Sequence, residues 1–437
     1  MAGALAGVRV IDFTEYIAGP YCTMMLADMG ADVVKVERPE GDAWRHTAPL
    51  APYESRGFLG VNRGKRSIAL DLERPEARQI ARRLAAGADV VVVNYRPGVA
   101  QRLGLDYETL SAANPSLIYC ENTAFGHEGP YRGRPGFDIL SQATTGMILY
   151  ENKIERGVPT FITTLAVADL TTGMFMAFAI VSALYARAAT GTGQRIETSL
   201  FASGLAAQYR PLLSVEERDR PARQGFLREL AEARRNGLRF EQALKLRARY
   251  VPGRGRNNYY RVYETKDGLI AVACLNNPQR RRLRDALQVD DPTVEGLTYD
   301  WFSEEVREAH RQAVEAFESA FRGRSTEEWL QALDAADVPC SPVHFPEEIF
   351  EHPHVLANGL MQAIEHPIVG PLRMPTSPIR MSGTPTGTTL PPPLLGAHGP
   401  ELLRELGYDD AASERLLDQG VIWTRDRLLE RDSQQVE

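Results

Sequence analysis

The stretch Asp89–Asn94, which reads DVVVVN, decides the fold class because its four central residues are all apolar. A strand without polar alternation is typical of the middle of a parallel sheet that helices cover on both faces. Just before it, Pro75–Ala86 predicts a helix with a proline in its first turn. Alternating strands and helices at this spacing indicate a doubly wound α/β sheet. The other predicted strands are Val8–Phe13, Asp32–Glu37, Arg66–Leu72 and Leu117–Thr123, with a helix from about Pro20 to Met29.

The rest of the sequence divides by composition into further parts. We interpret Ala168–Arg187, the most apolar helical segment, as a buried core helix rather than a membrane span. Residues 1–205 are assigned to a first part of a large domain, and residues 225–335 to a smaller α+β domain. That smaller domain contains a hairpin predicted over Tyr260–Leu275. Residues 345–437 are expected to return to the large domain.

Composition limits the class of protein. The chain has 437 residues, of which 43% are hydrophobic, and a formal net charge of −7. A mildly acidic, apolar-rich chain argues against disorder and against binding to nucleic acid or a membrane surface. The N-terminus lacks the pattern of a signal peptide. The four cysteines show no zinc or disulfide spacing, so we expect a cytoplasmic protein with reduced thiols.

Several common catalytic motifs are absent from the sequence. No G-x-G-x-x-G follows the first predicted strand, which argues against dinucleotide chemistry. Neither a G-x-S-x-G elbow, a P-loop nor an H-E-x-x-H motif occurs. The pair His352 and His354 has no carboxylate or thiol partner at a metal-binding spacing. The sequence therefore predicts neither a hydrolase triad nor a metal site.

Asp169 is the outstanding polar residue because it stands where the apolar helix begins. One interpretation is a helix N-cap whose carboxylate accepts hydrogen bonds from the N–H groups of Thr171 or Thr172. The other is a carboxylate nucleophile that the helix dipole keeps ionised. The two roles are compatible, and the residues alone do not choose between them.

A set of segments, in order and spacing, resembles the family III CoA-transferases of the CaiB–BaiF type. The segments span nearly the whole chain. They are Val10–Phe13 with Ala18–Pro20, Gly30–Glu37, Asn62 with Lys65–Ile68, Asn94–Gly98, Gly129–Tyr131 with Arg134–Asp138, Ala168–Gly173, Leu394–His398 and Glu401–Leu403.

The resemblance implies a fold and a reaction. It implies a Rossmann-like large domain with an inserted small domain, and a homodimer whose chains interlock as rings. The family's nucleophilic aspartate maps onto Asp169. The implied reaction moves CoA from an acyl-CoA to a free carboxylic acid through an aspartyl anhydride and an aspartyl-CoA thioester. It needs neither a metal nor a permanently bound cofactor, because each step exchanges one activated carbonyl for another.

The resemblance also implies residues that bind coenzyme A. Arg38 and Arg102 match positions that contact its nucleotide end, and Arg134 is a further candidate for that role. Lys65 and Arg66 either add positive charge to the site or are structural. A loose match to a mobile glycine loop falls at Gly253–Gly255, where a simple turn is an equal alternative. The residues expected along the adenine and pantetheine path are Leu70, Asn94 and Tyr95.

Two departures from related enzymes bear on the substrate, for which Tyr16 and Ile17 are further candidates. Phe137 stands where the α-methylacyl-CoA racemases have a histidine, and phenylalanine carries no proton. Ile17 stands where the formyl-CoA branch has a glutamine, which favours a larger or more apolar acyl group. Asp138 is expected to support Asp169 by raising its pKa or orienting a donor, unless it forms a surface salt bridge. The alternatives to transfer are racemisation of 2-methylacyl-CoA esters and binding of CoA esters without turnover.

Overall fold

A computed structural model describes residues 2–151, 153–162, 165–250, 257–291 and 304–434. The chain forms two compact units, Met1–Leu213 with Leu356–Glu437, and Ser214–Val355. The second unit extends beyond residues 225–335 at both ends. Gly253–Gly255, the loose match to a glycine loop, lies outside the described residues.

The strands are numbered along the chain. They are β1 (Arg9–Asp12), β2 (Asp32–Glu37), β3 (Pro49–Ala51), β4 (Glu54–Ser55), β5 (Lys65–Leu70), β6 (Val90–Val93), β7 (Ile118–Thr123), β8 (Ile154–Glu155), β9 (Val158–Pro159), β10 (Gln194–Ser199), β11 (Tyr260–Glu264), β12 (Leu269–Ala273), β13 (Cys340–Pro342), β14 (Met361–His366), β15 (Gly370–Pro375) and β16 (Ile422–Trp423).

The α-helices are numbered in the same way. They are α1 (Ala18–Asp28), α2 (Arg56–Gly60), α3 (Pro75–Ala86), α4 (Val99–Leu103), α5 (Tyr107–Ala113), α6 (Asp138–Thr144), α7 (Met147–Glu151), α8 (Val167–Thr190), α9 (Leu200–Ala206), α10 (Glu216–Arg235), α11 (Phe240–Tyr250), α12 (Asn277–Leu287), α13 (Glu304–Arg322), α14 (Thr326–Ala335), α15 (Pro353–Ala357), α16 (Gly399–Glu405), α17 (Asp410–Asp418) and α18 (Arg425–Gln434).

A seven-stranded sheet forms the centre of the first unit, in the order β10-β7-β6-β1-β2-β5-β16. All its pairs are parallel except β16 with β5. The four valines of β6 are fully buried, and they divide between two cores. Val90 and Val92 pack with α1 and α8, whereas Val91 and Val93 pack with α3 and α16. The predicted parallel sheet with helices on both faces is confirmed.

Helix α8 buries only one of its faces within this chain, so the prediction of a buried core helix is wrong for the other face. Met176 and Ile180 lie in the core beside α1. The opposite face exposes Phe178 and Tyr185, by 74% and 84%. Among the described helices, α8 alone is long and apolar enough to cross a membrane, and a third of that stretch is buried. It ends at Gly191 in the left-handed conformation, which glycine adopts readily.

The second unit has its own core and its own sheet. The predicted hairpin is present as β11 and β12, and β13 joins β12 in an antiparallel sheet. Tyr263 stacks on Phe321 with 4.3 Å between the ring centres, and both are buried. A capping box is present at the start of α14, where Ser325 and Glu328 bond each other's backbone N–H.

Candidate active site

A cleft of about 1620 Å³ opens at the carboxyl ends of the parallel strands in the first unit. Open α/β sheets generally bind their ligands at this edge. Its wall contains every residue that the sequence analysis assigned to catalysis, coenzyme A or substrate. They are Tyr16, Ile17, Arg38, Leu70, Asn94, Tyr95, Arg102, Arg134, Phe137, Asp138 and Asp169. The fold thus brings together side chains that are up to 153 positions apart, from Tyr16 to Asp169 (169 − 16).

Asp169 is the third residue of α8, and the N-cap of this helix is Ala166. The interpretation of Asp169 as the N-cap is therefore wrong, which leaves the interpretation as a nucleophile. Its half-buried carboxylate instead accepts a hydrogen bond from the backbone N–H of Ala18, the first residue of α1. Burial and the nearby Asp138 carboxylate raise the pKa of Asp169 to about 7, which the Ala18 N–H only partly offsets. The expectation that the helix dipole keeps Asp169 fully ionised is not met, because burial outweighs it.

Asp138 supplies the cap that Asp169 does not. Its Oδ1 accepts the backbone N–H of Ala168 at 2.7 Å and that of Asp169 at 3.4 Å. Its Oδ2 accepts the side-chain amide of Gln142 at 2.5 Å. Gln142 is fully buried and also bonds both backbone groups of Ile162. Asp138 thus fixes the first turn of α8, and it forms no surface salt bridge with any residue that the structure describes.

Gly173 sets the distance between the two helices that meet at Asp169. It lies one turn after Asp169 in α8 and faces the first turn of α1. A Cβ atom added at Gly173 would lie 2.7 Å from the backbone oxygen of Ala18 and 3.1 Å from the ring of Tyr21. Only glycine permits this approach, which brings the Ala18 N–H to the carboxylate.

Tyr16 and Ile17 form the turn between β1 and α1 at the mouth of the cleft. Tyr16 has a φ of 68°, a conformation that a tyrosine rarely adopts. Its backbone N–H donates to Asp42 Oδ1 at 3.1 Å, which holds the turn. The Tyr16 ring packs edge-on against Phe137, with 5.2 Å between centres. Phe137 is half exposed in the cleft wall. It precedes Asp138 in the chain and has no titratable group.

Two of the predicted coenzyme A residues are already bonded to Glu15. Arg38 donates to both carboxylate oxygens of Glu15, at 2.9 Å and 2.7 Å. The Asn94 amide accepts the Glu15 N–H at 3.1 Å and donates to the Glu15 carbonyl at 2.8 Å. Asn94 therefore anchors the turn that carries Tyr16, and Arg38 meets a ligand with part of its charge neutralised.

The remaining predicted residues differ in their access to a ligand. Arg102 and Arg134 are exposed, and neither forms an ion pair with any described residue. The Arg134 guanidinium lies 4.3 Å from the centre of the Tyr131 ring. Tyr95 is half-buried, whereas Leu70 is fully buried in the core under the cleft. Leu70 therefore lies in the floor of the cleft, where packing covers its side chain.

Lys65 and Arg66 are structural rather than part of the cleft wall. Lys65 is fully buried and donates to Asp12 at 3.0 Å and Asn62 at 2.8 Å. Burial lowers the pKa of Lys65 to about 8, although Asp12 opposes that shift. Arg66 pairs with carboxylates of β2 and α16, on the side chains of Asp32, Glu401 and Glu405.

A group of potential metal ligands lies outside the cleft wall, at Glu121, His127 and Glu197. The Arg195 guanidinium lies among them, 2.9 Å from Glu121 and 2.8 Å from Glu197. Because the Arg195 guanidinium already pairs with both carboxylates, we assign no metal ion to this group.

Sequence reasoning missed several residues of the cleft and its support. The Ala18 N–H is a backbone group, and no pattern in the sequence identifies it. Gln142 is an isolated buried amide whose partners are distant in sequence. Trp423 and Arg431 line the cleft from the C-terminal segment, where no strand was predicted. The only sequence signal for this part of the cleft was the presence of an aromatic residue and an arginine, Trp423 and Arg431, near the end of the chain.

The comparison with known proteins identifies the family of this chain. The sequence model of CoA-transferase family III matches residues 5–399. The chain therefore belongs to CoA-transferase family III and is a transferase of the CaiB–BaiF type.

Individual relatives match over nearly the full length. Succinyl-CoA:glutarate CoA-transferase from Homo sapiens is 33% identical over 421 residues, covering 96% of this chain and 90% of that protein. Succinyl-CoA:mesaconate CoA-transferase from Haloarcula marismortui is 32% identical, covering 93% and 97%. The crystal structure of a CAIB/BAIF family protein from Brucella suis superimposes with a TM-score of 0.71 at 30% identity, covering 93% of this chain and 100% of that one.

Proposed function

We propose that this protein transfers CoA from an acyl-CoA donor to a free carboxylic acid, with Asp169 as the covalent nucleophile. The observation that carries the proposal is the position of the Asp169 carboxylate in the cleft, bonded to a backbone N–H and paired with no described cation. A carboxylate that no cation neutralises retains its nucleophilicity when ionised.

The reaction balances without a metal or a resident cofactor. Asp169 attacks the donor thioester carbonyl, the C–S bond breaks, and CoA thiolate leaves an aspartyl anhydride. The thiolate attacks the Asp169 carbonyl, releasing the donor acid and forming an aspartyl-CoA thioester. The acceptor carboxylate then attacks that thioester and expels the thiolate. Finally the thiolate attacks the acceptor carbonyl, which gives the new acyl-CoA and restores the Asp169 carboxylate.

Each tetrahedral intermediate needs donors for its oxyanion. The first turn of α1 offers the N–H groups of Ala18 and Gly19, since Pro20 has none. The Ala18 N–H already bonds Asp169. We assign the oxyanion to the Gly19 N–H, for which no described residue is an acceptor. Loss of such a donor typically costs about 2.7–4 kcal/mol of transition-state stabilisation.

The raised pKa of Asp169 predicts how turnover depends on pH. The nucleophile is the ionised form, and its pKa is about 7. Turnover at subsaturating acyl-CoA should therefore rise as the pH rises through this value.

The relatives indicate the class of substrate. Their names give succinyl-CoA as donor and glutarate or mesaconate as acceptor, all dicarboxylic acids or esters of one. We propose dicarboxylic acids as substrates here as well. Ile17, whose backbone immediately precedes Ala18, presents an apolar side chain that suits a carbon chain longer than formyl.

We further propose a homodimer with interlocked chains in the cytoplasm. The exposed apolar face of α8 supports a second copy as partner, since monomers rarely expose so large a patch. Its members are Met174, Phe175, Phe178, Val181 and Tyr185. The four cysteines are free thiols, three of them buried, in agreement with a reducing compartment.

The test is to incubate the protein with succinyl-CoA and to measure the mass of the peptide containing Asp169. A covalent adduct on Asp169, absent from the Asp169→Ala variant, is expected. Binding without an adduct would contradict the proposal and favour a CoA-ester-binding protein. Exchange of an α-hydrogen of a 2-methylacyl-CoA in deuterated water would favour a racemase, although Phe137 provides no proton at the position concerned.

A further inference from the structure

The C-terminal segment forms part of the cleft. Trp423 of β16 and Arg431 of α18 line the same cleft as Asp169. Both residues lie beyond positions 5–399, the part that the family's sequence model matches. The segment therefore adds a charged and an aromatic side chain to the site.

Sheet order places these residues away from the nucleophile. The Ala18 N–H that bonds Asp169 follows β1, whereas Trp423 lies in β16, three strands further along in the order β1-β2-β5-β16. With strands about 4.8 Å apart, this separation is roughly 14 Å. A ligand that reaches from Asp169 to Arg431 must be long and must carry negative charge at its far end.

The Arg431 guanidinium is held in place. Its Cζ atom lies 5.2 Å from the centre of the Trp423 ring. Trp423 is fixed by its indole N–H, which donates to the Gly420 carbonyl at 3.0 Å. Nε and Nη2 of Arg431 donate to Asp432 Oδ1 at 3.3 Å and 3.1 Å, while Tyr53 donates to the other Asp432 oxygen at 2.6 Å. No described residue accepts from Nη1.

We propose that Arg431 binds the 3′-phosphate of coenzyme A. The inference rests on the proposed function, because a thioester at Asp169 directs the nucleotide end of the ligand along the sheet edge. Guanidinium groups match phosphate oxygens in geometry and charge. Of the other cations in the cleft, Arg38 bonds Glu15 and Arg78 bonds the carbonyls of Leu72 and Glu73, whereas Arg102 and Arg134 pair with no described carboxylate.

The experiment compares CoA with dephospho-CoA, which lacks only the 3′-phosphate, by calorimetric titration. Wild type should bind CoA about tenfold more tightly than dephospho-CoA, the effect of a hydrogen bond to a charged group. In Arg431→Ala this preference should disappear, through weaker binding of CoA and unchanged binding of dephospho-CoA. The unchanged dephospho-CoA affinity also shows that the variant is folded. Arg427→Ala is the matched control, since Arg427 lies in α18 outside the cleft wall and pairs with Asp418 and Glu430.

Three results would overturn the proposal. The first is an Arg431→Ala variant that keeps the preference for CoA, and the second is one that loses affinity equally for both ligands. In either case an Asp169 adduct in wild type would leave the proposed function intact. If wild type binds neither ligand and forms no adduct, both proposals fail together.

Discussion

Two regions of this protein shift the pKa of an aspartate in opposite directions. Asp12, at the end of β1, lies under the cleft and faces two lysines. Burial alone would raise its pKa, but Lys65 and Lys35 hold the pKa of Asp12 well below its usual range. Asp169 lies in the cleft and faces another carboxylate, so that burial and Asp138 together raise its pKa to about 7.

The difference shows that the neighbours decide the state of a buried carboxylate. Lys65 contacts Asp12 at 3.0 Å and forms part of the structure, so Asp12 stays charged and inert. Asp169 receives one backbone N–H and no cation among the described residues. With so few stabilising partners, the ionised carboxylate of Asp169 is high in free energy. It is therefore more reactive toward an acyl group than the ion-paired carboxylate of Asp12.

The largest expected effect is on catalysis. Asp169→Ala removes the nucleophile and should lower the rate of CoA transfer by at least about 10³-fold. Affinity for free CoA should stay within a few-fold, because the cations that bind it are elsewhere in the cleft. Steady-state transfer and calorimetric CoA binding, measured on the same preparation, test this. Appreciable turnover would rule out Asp169 as the nucleophile.

The same substitution at the two aspartates should change stability in opposite directions. Asp12→Asn leaves Lys65 without its carboxylate and should destabilise the protein by about 3–5 kcal/mol. Asp169→Asn should stabilise it by about 1 kcal/mol or more at pH 8. Urea unfolding at several pH values measures both free energies of unfolding.

The raised pKa of Asp169 determines how its effect on the free energy of unfolding changes with pH. Between the ordinary value of 3.8 and about 7, the folded protein holds a proton that the unfolded chain releases. The contribution of Asp169 to stability is therefore present below pH 3.8 and is lost as the pH rises through 7. The advantage of Asp169→Asn should be complete above pH 7 and absent near pH 4. An advantage that does not depend on pH would refute the shifted pKa.

The contact between α1 and α8 can be disrupted without changing Asp169 itself. Gly173→Ala places a Cβ atom 2.7 Å from the Ala18 carbonyl and must push the two helices apart. Displacing the Ala18 N–H from Asp169 should lower transfer roughly 10²-fold. Gly60→Ala is the matched control, since nothing lies within 4 Å of its added Cβ. Equal activity of the two variants would show that this contact does not position the nucleophile.

The smallest effect on activity is expected from a substitution of Asp138, the carboxylate beside Asp169. Asp138→Asn removes the negative charge beside Asp169 but keeps an oxygen that accepts from Ala168. The pKa of Asp169 should fall, and the rising limb of the pH–rate profile should move to lower pH, by about one unit. A profile that stays in place would show that burial alone sets the pKa of Asp169.

Sequence patterns predicted those parts of the fold whose signals are local. The valines of β6 indicated a strand covered on both faces, and the helix α3 has the predicted bounds. Frequent prolines between Pro339 and Pro393 obscured the strand pattern of β14 and β15. The strand β16 has only two residues, too few for a pattern.

The residues selected from the sequence line one cleft, but their contacts were not predicted. The resemblance selected Asp169, and the fold placed it in the same cleft as the other candidates. The cap of α8 comes from Asp138, 31 residues earlier, so a local reading assigned it to Asp169 instead. Burial of Asp169 depends on the packing of α1 on α8, which a single sequence does not display.

The most direct test follows one oxygen atom through the reaction. The acceptor acid is supplied with heavy oxygen in its carboxylates, turnover is allowed with unlabelled acyl-CoA, and the peptide containing Asp169 is weighed. Transfer through an aspartyl anhydride requires one acceptor oxygen to remain on the Asp169 carboxylate, so this peptide should gain the label. Turnover that leaves Asp169 unlabelled would contradict the account.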